Sequence, residues 1–188
     1  MRSIRTGVLL FLFLWITTGL VYPALVTIIG QVVFPRQAAG SLIRKGDGTV
    51  AGSRWIGQPF SDPKYFWSRP SATADFPYNP LASGGSNLGP TNKDLLQQVA
   101  DRVKSFKDSG MAGPMPSDLV MASGSGLDPH ISLEAARRQA PRVAKARRLE
   151  EAKLGQLLKD HLEDRQLGFL GEPRVNVVQL NLALDNLQ

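Results

Sequence analysis

The chain contains no cysteine in 188 residues. Disulfide bonds, thiolate catalysis and cysteine-ligated zinc are therefore excluded, and the absence is compatible with either side of a membrane. Histidine is nearly as scarce. His130 and His161 have no histidine partner at i+4, and no HExxH run occurs. Each reads as a surface or helix-end residue rather than a metal ligand. A third shortage is local: no charged residue stands between Thr6 and Pro35. No soluble surface is built from such a stretch.

What fills that stretch is the almost wholly apolar run "GVLLFLFLWITTGLVYPALVTIIGQVVF", residues 7–34. As a helix these residues would reach about 42 Å, against about 30 Å of hydrocarbon. The apolar region of a cleaved signal is shorter, about 7–15 residues, and ends on a small-residue cleavage site that is not seen here. The run reads as a retained anchor, with a short tail and the span in residues 1–35 and one soluble domain in 36–188. Arg2 and Arg5 precede the span, while Arg36, Arg44 and Lys45 follow it, so flanking charge is nearly balanced. A short positive tail is easily retained inside, and a long domain crosses regardless of its charge. The expected topology is amino terminus in the cytoplasm and domain outside it. Within the span, Pro23 deletes a backbone N–H and predicts a kink near Gly19. Gly19, Pro23, Thr27 and Gly30 fall within about 80° of one another on a helical wheel. Small-residue stripes of this kind let membrane helices approach closely, so the stripe is a candidate partner face.

The soluble part reads as mixed α+β without internal repeats. Residues 49–60 lean towards strand, and "YFWSRPSA", residues 65–72, supplies aromatic side chains suited to a core. Residues 91–106 carry Leu95, Leu96, Val99 and Val103 at helical spacing, with Thr91 as the expected N-cap and Asp94 three residues on. Residues 119–132 read as a short strand running into a glycine-serine turn. Ser132 is the expected N-cap of a helix in which Pro141 breaks the ladder or starts a new turn. Leu154, Leu157, Leu158, His161 and Leu162 form a further helical face. The tail, residues 174–185, alternates as a strand, with a slip in phase between Val177 and Leu180 that suggests a bulge or burial on both faces.

The uncharged stretch "YNPLASGGSNLGPTN", residues 78–92, resembles the glycine-rich loops that hold phosphate ahead of a helix. Gly84 and Gly89 have P-loop separation and Thr91 the right place, but Pro90 occupies the lysine position. The charge that meets nucleotide phosphates is missing, so hydrolysis is not expected. Backbone donors around Gly84, Gly85, Ser86 and Asn87 remain a candidate anion or nucleotide cradle. The alternative is that Asn79, Ser83 and Asn87 tie down turns through side-chain bonds to backbone. Ser123 and Leu127 stand where a nucleophile elbow centred on Ser125 needs glycine. Asp128 is followed by Pro129 and His130, not by the Lys-Thr-Gly of a phosphorylated aspartate, and reads as bonding its own backbone. No catalytic constellation and no metal set emerges.

Net charge is +6, and six cations lie within twelve residues: Arg137, Arg138, Arg142, Lys145, Arg147 and Arg148. On a helix Arg138, Arg142 and Lys145 share one face, opposite Ala136, Ala140 and Val143. The face suits solvent, an acidic partner surface, membrane lipid or a phosphate. Nucleic acid is not expected, because no aromatic residues interleave with the basic run.

Seven blocks in order, "YPALVT", "GSRWIGQPF", "YFWSRPSA", "YNPLASGGSNLGPTN", "SGSGLDPHIS", "APRVAKARRL" and "GFLGEPRVNVVQLNLALD", resemble the C subunit of the Kdp-type potassium-transporting ATPase over nearly the whole chain. The resemblance implies a non-catalytic subunit of a bacterial inner-membrane potassium pump. Its implied partners are a potassium-binding channel-like subunit, a P-type ATPase catalytic subunit and a very small subunit. It further implies a single membrane helix, an outward-facing domain, and a chaperone-like role that raises the ATPase subunit's affinity for ATP. An outward domain does not meet cytoplasmic ATP, so topology argues for indirect action and against a tightly bound cofactor. The rival expectation is a direct nucleotide module using the 84–91 loop and the 137–148 basic helix. Where the family pattern leads one to expect a helix-ending glycine, this chain has Arg148 followed by Leu149.

Overall fold

The computed structural model describes residues 2–187. The chain divides into two compact units, 1–42 and 43–188.

The first unit is one apolar helical rod. Helix α1 (Arg2–Ile16) runs into a π-helical turn at Thr17–Val21 and continues as α2 (Tyr22–Val33), with Pro23 in its opening turn. The 32 residues from Arg2 to Val33 make the one helix among the described residues that is long and apolar enough to cross a membrane. Near Gly19, where Pro23 predicts a kink, the helix has this π-helical turn, which ends two residues before the proline. Thr17 and Thr18 donate their hydroxyls back to the carbonyls of Phe13 and Leu14, both at 2.7 Å, which keeps these polar groups satisfied in an apolar helix. A single helical turn, α3 (Pro35–Ala38), follows.

The second unit is α+β, as expected, with small sheets. Strands β1 (Leu42–Arg44) and β2 (Val50–Ser53) form a two-stranded hairpin, so the strand lean of residues 49–60 is realised in four residues only. A three-stranded antiparallel sheet carries the order β3 (His130–Ser132), β5 (Arg174–Asn176), β4 (Leu162–Glu163). Its register pairs Ile131 with Val175 and Glu163 with Arg174. Around it lie α4 (Lys93–Asp108), α5 (Ser117–Val120), α6 (Leu133–Arg147), α7 (Glu151–Asp160) and α8 (Val177–Asp185). The core joins Phe66, Leu119, Ile131, Val143, Leu154, Val175, Val177, Leu180 and Leu184, so the aromatic segment supplies core as read.

Several boundaries differ from the sequence expectation. The cap of α4 is Asn92, not Thr91: its Oδ1 accepts from the backbone of Asp94 at 2.7 Å and Leu95 at 3.4 Å. Leu119 and Val120 are buried from the helical turn α5, not from a strand, and the strand begins only at His130. There Ser132 donates its N–H to Asp118 Oδ2 at 2.7 Å and caps α6 through Ala135 at 3.0 Å. Helix α6 is continuous through Pro141, because Ala135 and Ala136 before it and Val143 and Ala144 after it are all buried in the same core. Arg148 takes the left-handed conformation (φ 55°) at its end, the role a glycine usually fills. Helix α7 stops at Asp160; His161 caps it, with Nδ1 3.0 Å from the Leu157 carbonyl, and Leu162 belongs to β4.

The tail is the largest correction. The phase slip after Val177 marks a change of element rather than a bulge. Asn176 ends β5 and caps α8, accepting from Gln179 N–H at 3.1 Å. Val177, Val178, Leu180, Asn181 and Leu184 are the buried residues of α8, a spacing of 3.6 and not 2.

Candidate functional site

The glycine-rich loop closes onto the second glycine-serine turn. Gly84 N–H donates to the Ser125 carbonyl at 2.9 Å, and Ser83 Oγ donates to the same oxygen at 3.0 Å. Ser71 Oγ bonds the Gly126 carbonyl at 2.7 Å and accepts from Tyr78 N–H at 2.8 Å, so three stretches of chain meet at one hydroxyl. Asn79 is buried; its Oδ1 accepts from Leu81 N–H at 3.0 Å and its Nδ2 donates to the Ala74 carbonyl at 3.2 Å. Two of the three expected turn-tying side chains, Asn79 and Ser83, do what was read for them. Asn87 is exposed with φ 52°, the left-handed region that asparagine tolerates. A Cβ at Gly85 would come within 3.2 Å of the Gly124 carbonyl. The absence of charge across residues 78–92 is explained by this packing, in which polar side chains and backbone satisfy one another.

Beside that joint lies a charge cluster that sequence reading missed. His130 is buried in β3, which corrects the expectation of a surface or helix-end residue. Its Nδ1 is 3.2 Å from Asp128 Oδ1 and its Nε2 3.4 Å from Glu163 Oε2. Asp128 Oδ1 also accepts from His130 N–H at 3.0 Å, as expected of a residue bonding its own backbone, and Arg69 reaches Oδ2 at 3.0 Å. Glu163 is held in turn by Arg54 at 3.1 Å and Arg174 at 3.2 Å. Burial works to raise the Asp128 carboxyl, but hydrogen bonds from the His130 ring and backbone, with the charge of Arg69, hold it below its ordinary range. Glu163 is likewise lowered: burial opposes, and bonds from Arg54 and Arg174 prevail. The only sequence trace of this cluster is the short Asp128-Pro129-His130 run. Glu163, Arg174, Arg54 and Arg69 arrive from distant positions.

Above Asp128, Tyr78 donates its hydroxyl to the Arg69 carbonyl. Burial pushes its phenol up to about 12. No nucleophile stands in hydrogen-bond reach of a base here, and each carboxylate faces an arginine of its own. The arrangement is a structural clamp that joins the 69–73 segment, β3 and the β4–β5 pair.

The basic helix divides in a way the sequence did not show. Arg142 does not belong to an exposed cationic face. It is buried, donating to the carbonyls of Pro63 at 2.6 Å and Tyr65 at 3.0 Å and to Gln139 Oε1 at 2.8 Å. Its guanidinium lies 4.3 Å from the centroid of the Trp67 ring, and burial lowers it to about 10, so it is charged at neutral pH. Arg147 is tied to Asp185 and to the Lys64 carbonyl. Arg137, Arg138, Lys145 and Arg148 are the exposed cations. In the first unit Gly19, Pro23 and Thr27 are exposed and Gly30 half-exposed; a Cβ at Gly30 would meet nothing within 4 Å, and one at Gly19 only the Trp15 ring at 3.9 Å.

Comparison with known proteins places these features in a family. The family model described as KdpC, K+-transporting ATPase, c chain, matches residues 4–186. A potassium-transporting ATPase KdpC subunit of Geobacter sulfurreducens is 57% identical over 187 residues, covering 100% of this chain and 99% of the relative. Proteins of the same name from Geobacter metallireducens and Methylococcus capsulatus are each 59% identical, over 187 and 183 residues, with coverage of at least 96% on both sides. The chain belongs to the KdpC family of K+-transporting ATPase c chains.

Proposed function

We propose that this chain is the non-catalytic accessory subunit of an ATP-driven potassium uptake pump, tethered by one membrane helix and acting through contact with its fellow subunits. The observation that carries this reading is the closure of the glycine-rich loop. The Gly84 N–H, a donor that an anion cradle would need, is engaged by the Ser125 carbonyl. Arg142, the central cation of the basic helix, is engaged by the carbonyls of Pro63 and Tyr65. One backbone donor of the loop and the central cation of the basic helix are thus used inside the fold. Any effect on the ATPase subunit's affinity for ATP then passes through protein contact, and ATP is no resident cofactor of this chain.

The small-residue stripe Gly19, Pro23, Thr27 and Gly30 is the proposed seat of a neighbouring membrane helix, and Arg138 and Lys145 offer exposed charge to an acidic partner surface or to lipid headgroups. On this reading the amino terminus lies in the cytoplasm and the domain, residues 36–188, outside it, in a bacterial inner membrane. The partners on this reading are the channel-like, catalytic and very small subunits.

A single cysteine introduced by Asn87→Cys into this cysteine-free chain tests the topology. Asn87 is exposed, and an impermeant maleimide should label it on cells with an intact inner membrane. Labelling that requires inner-membrane permeabilisation would put the domain beside cytoplasmic ATP and revive direct nucleotide binding through Gly84, Gly85, Ser86 and Asn87.

A further inference from the structure

The connection between β4 and β5 does not wander; it forms a closed, stiff finger. Gln166 and Leu170 exchange a pair of backbone hydrogen bonds, N–H to carbonyl in each direction at 2.9 Å. Phe169 N–H adds a bond to the Gln166 carbonyl at 3.3 Å, closing a tight turn over Leu167 and Gly168. Below the turn, Arg165 pairs with Glu172 at 2.8 Å. One step further down, Glu163 pairs with Arg174 in register across the two strands and joins the charge clamp around His130.

The two central residues of the turn have positive φ, 53° at Leu167 and 82° at Gly168. Turns of this hand favour Asn-Gly, because both positions lie in the left-handed region. Leucine is a poor choice there, since its Cβ crowds the following carbonyl in that conformation and it has no short polar group to bond the local backbone. Nothing within the fold repays the strain. The Leu167 side chain is 83% exposed, and its neighbour Phe169 is 69% exposed. A large apolar side chain kept at a strained turn position and left unburied by the fold suits contact with something outside it.

We propose that this finger is a docking knob. Leu167 and Phe169 insert into an apolar pocket with a basic rim on a fellow subunit of the pump. The inference rests on the reading of the chain as a pump subunit. Three features favour a protein pocket over lipid. The knob's backbone is pre-ordered by its turn, so little backbone freedom remains to be lost on docking, as for an anchor residue in a protein interface. The one cation of the stalk, Arg165, is already neutralised by Glu172. Asp164 pairs with no cation among the described residues, which leaves the stalk net negative. Anionic headgroups would repel such a stalk, whereas a pocket rimmed by lysine or arginine complements it.

The test uses the full chain co-expressed with the other pump subunits. A photo-activatable benzophenone side chain is placed at position 167 or 169, and as a control at Leu96, an exposed apolar residue on α4. Illumination should yield an adduct with a fellow subunit from 167 and 169 and none from 96. In parallel, Leu167→Asn supplies a residue suited to the left-handed turn, so the chain should keep its thermal midpoint while the fraction retained with its partners falls about tenfold. Adducts with lipid alone, with a second copy of this chain, or none at all in an intact complex would overturn the knob and leave the accessory role standing. So would full retention of the Leu167→Asn chain. Failure of the unmodified chain to co-purify with any pump subunit would overturn the accessory role itself, and the knob with it.

Discussion

Gln139 gives Trp67 both of the hydrogen bonds that a neighbouring strand would give. Its Oε1 accepts from Trp67 N–H at 2.7 Å, and its Nε2 donates to the Trp67 carbonyl at 3.0 Å. Asn181 does the same for Phe66, accepting at 2.9 Å and donating at 2.9 Å. The aromatic segment therefore lies extended through the interior without belonging to a sheet, held by one amide from α6 and one from α8. Both amides are buried, and Arg142 completes the set by stacking on Trp67 and bonding Gln139.

This arrangement predicts that Gln139→Leu is severely destabilising although leucine has similar volume. The substitution strands the part-buried N–H and carbonyl of Trp67 and removes one partner of the buried Arg142, an expected loss of about 2–4 kcal/mol. Denaturant unfolding of the full chain in detergent, followed by tryptophan fluorescence, measures it. A loss below about 0.5 kcal/mol would mean that the segment is held by ring packing alone.

How much of this was legible beforehand depends on the range of the forces involved. The long apolar helix was readable because its cause is local: a run of apolar residues needs no partner to declare itself. The cap at Ser132 and the stripe of α7 were readable for the same reason. The tail misled because Val175 and Val177 mimic a strand, while Asn176 has two roles, last residue of β5 and cap of α8. His130 looked like a surface residue because Asp128 alone was near in sequence; Glu163 and the arginines that enclose it come from elsewhere in the chain. Arg142 looked like one of six equivalent cations. Only its position over Trp67 distinguishes it.

The charge clamp around His130 sets an acid limit on stability. Asp128 and Glu163 are both held below their ordinary values of 3.8 and 4.5 in the folded chain. A depressed carboxyl stabilises the fold at pH above its unfolded value, and that stability is lost as pH falls through the folded value. The thermal midpoint should therefore be flat near neutrality and fall below about pH 4.5. Asp128→Asn should lower the neutral midpoint, because Arg69 and His130 lose their charged partner, and should make the acid limb shallower. An unchanged acid limb in that variant would assign the transition to other carboxylates.

The glycine-rich joint yields the most direct contrast. Gly126 has φ 68°, and a Cβ there would lie 2.6 Å from both the Gly84 carbonyl and Thr73 Cγ2. One contact is with backbone that is itself fixed, because Gly84 N–H is bonded to Ser125. Gly126→Ala therefore adds conformational strain to a clash that the loop cannot relieve without opening, an expected loss of about 2–4 kcal/mol. Gly89 lies in the same uncharged stretch, yet a Cβ there meets nothing within 4 Å and no positive φ constrains it. Gly89→Ala should be neutral within about 0.5 kcal/mol. A phosphate cradle in the 84–91 loop would respond to Gly89→Ala through lost anion binding; a packed joint responds to Gly126 alone, and through unfolding. Thermal melts of the two variants, with and without ATP, separate the cases. Equal midpoints for the two variants, or stabilisation by ATP that either substitution abolishes, would return the loop to nucleotide binding.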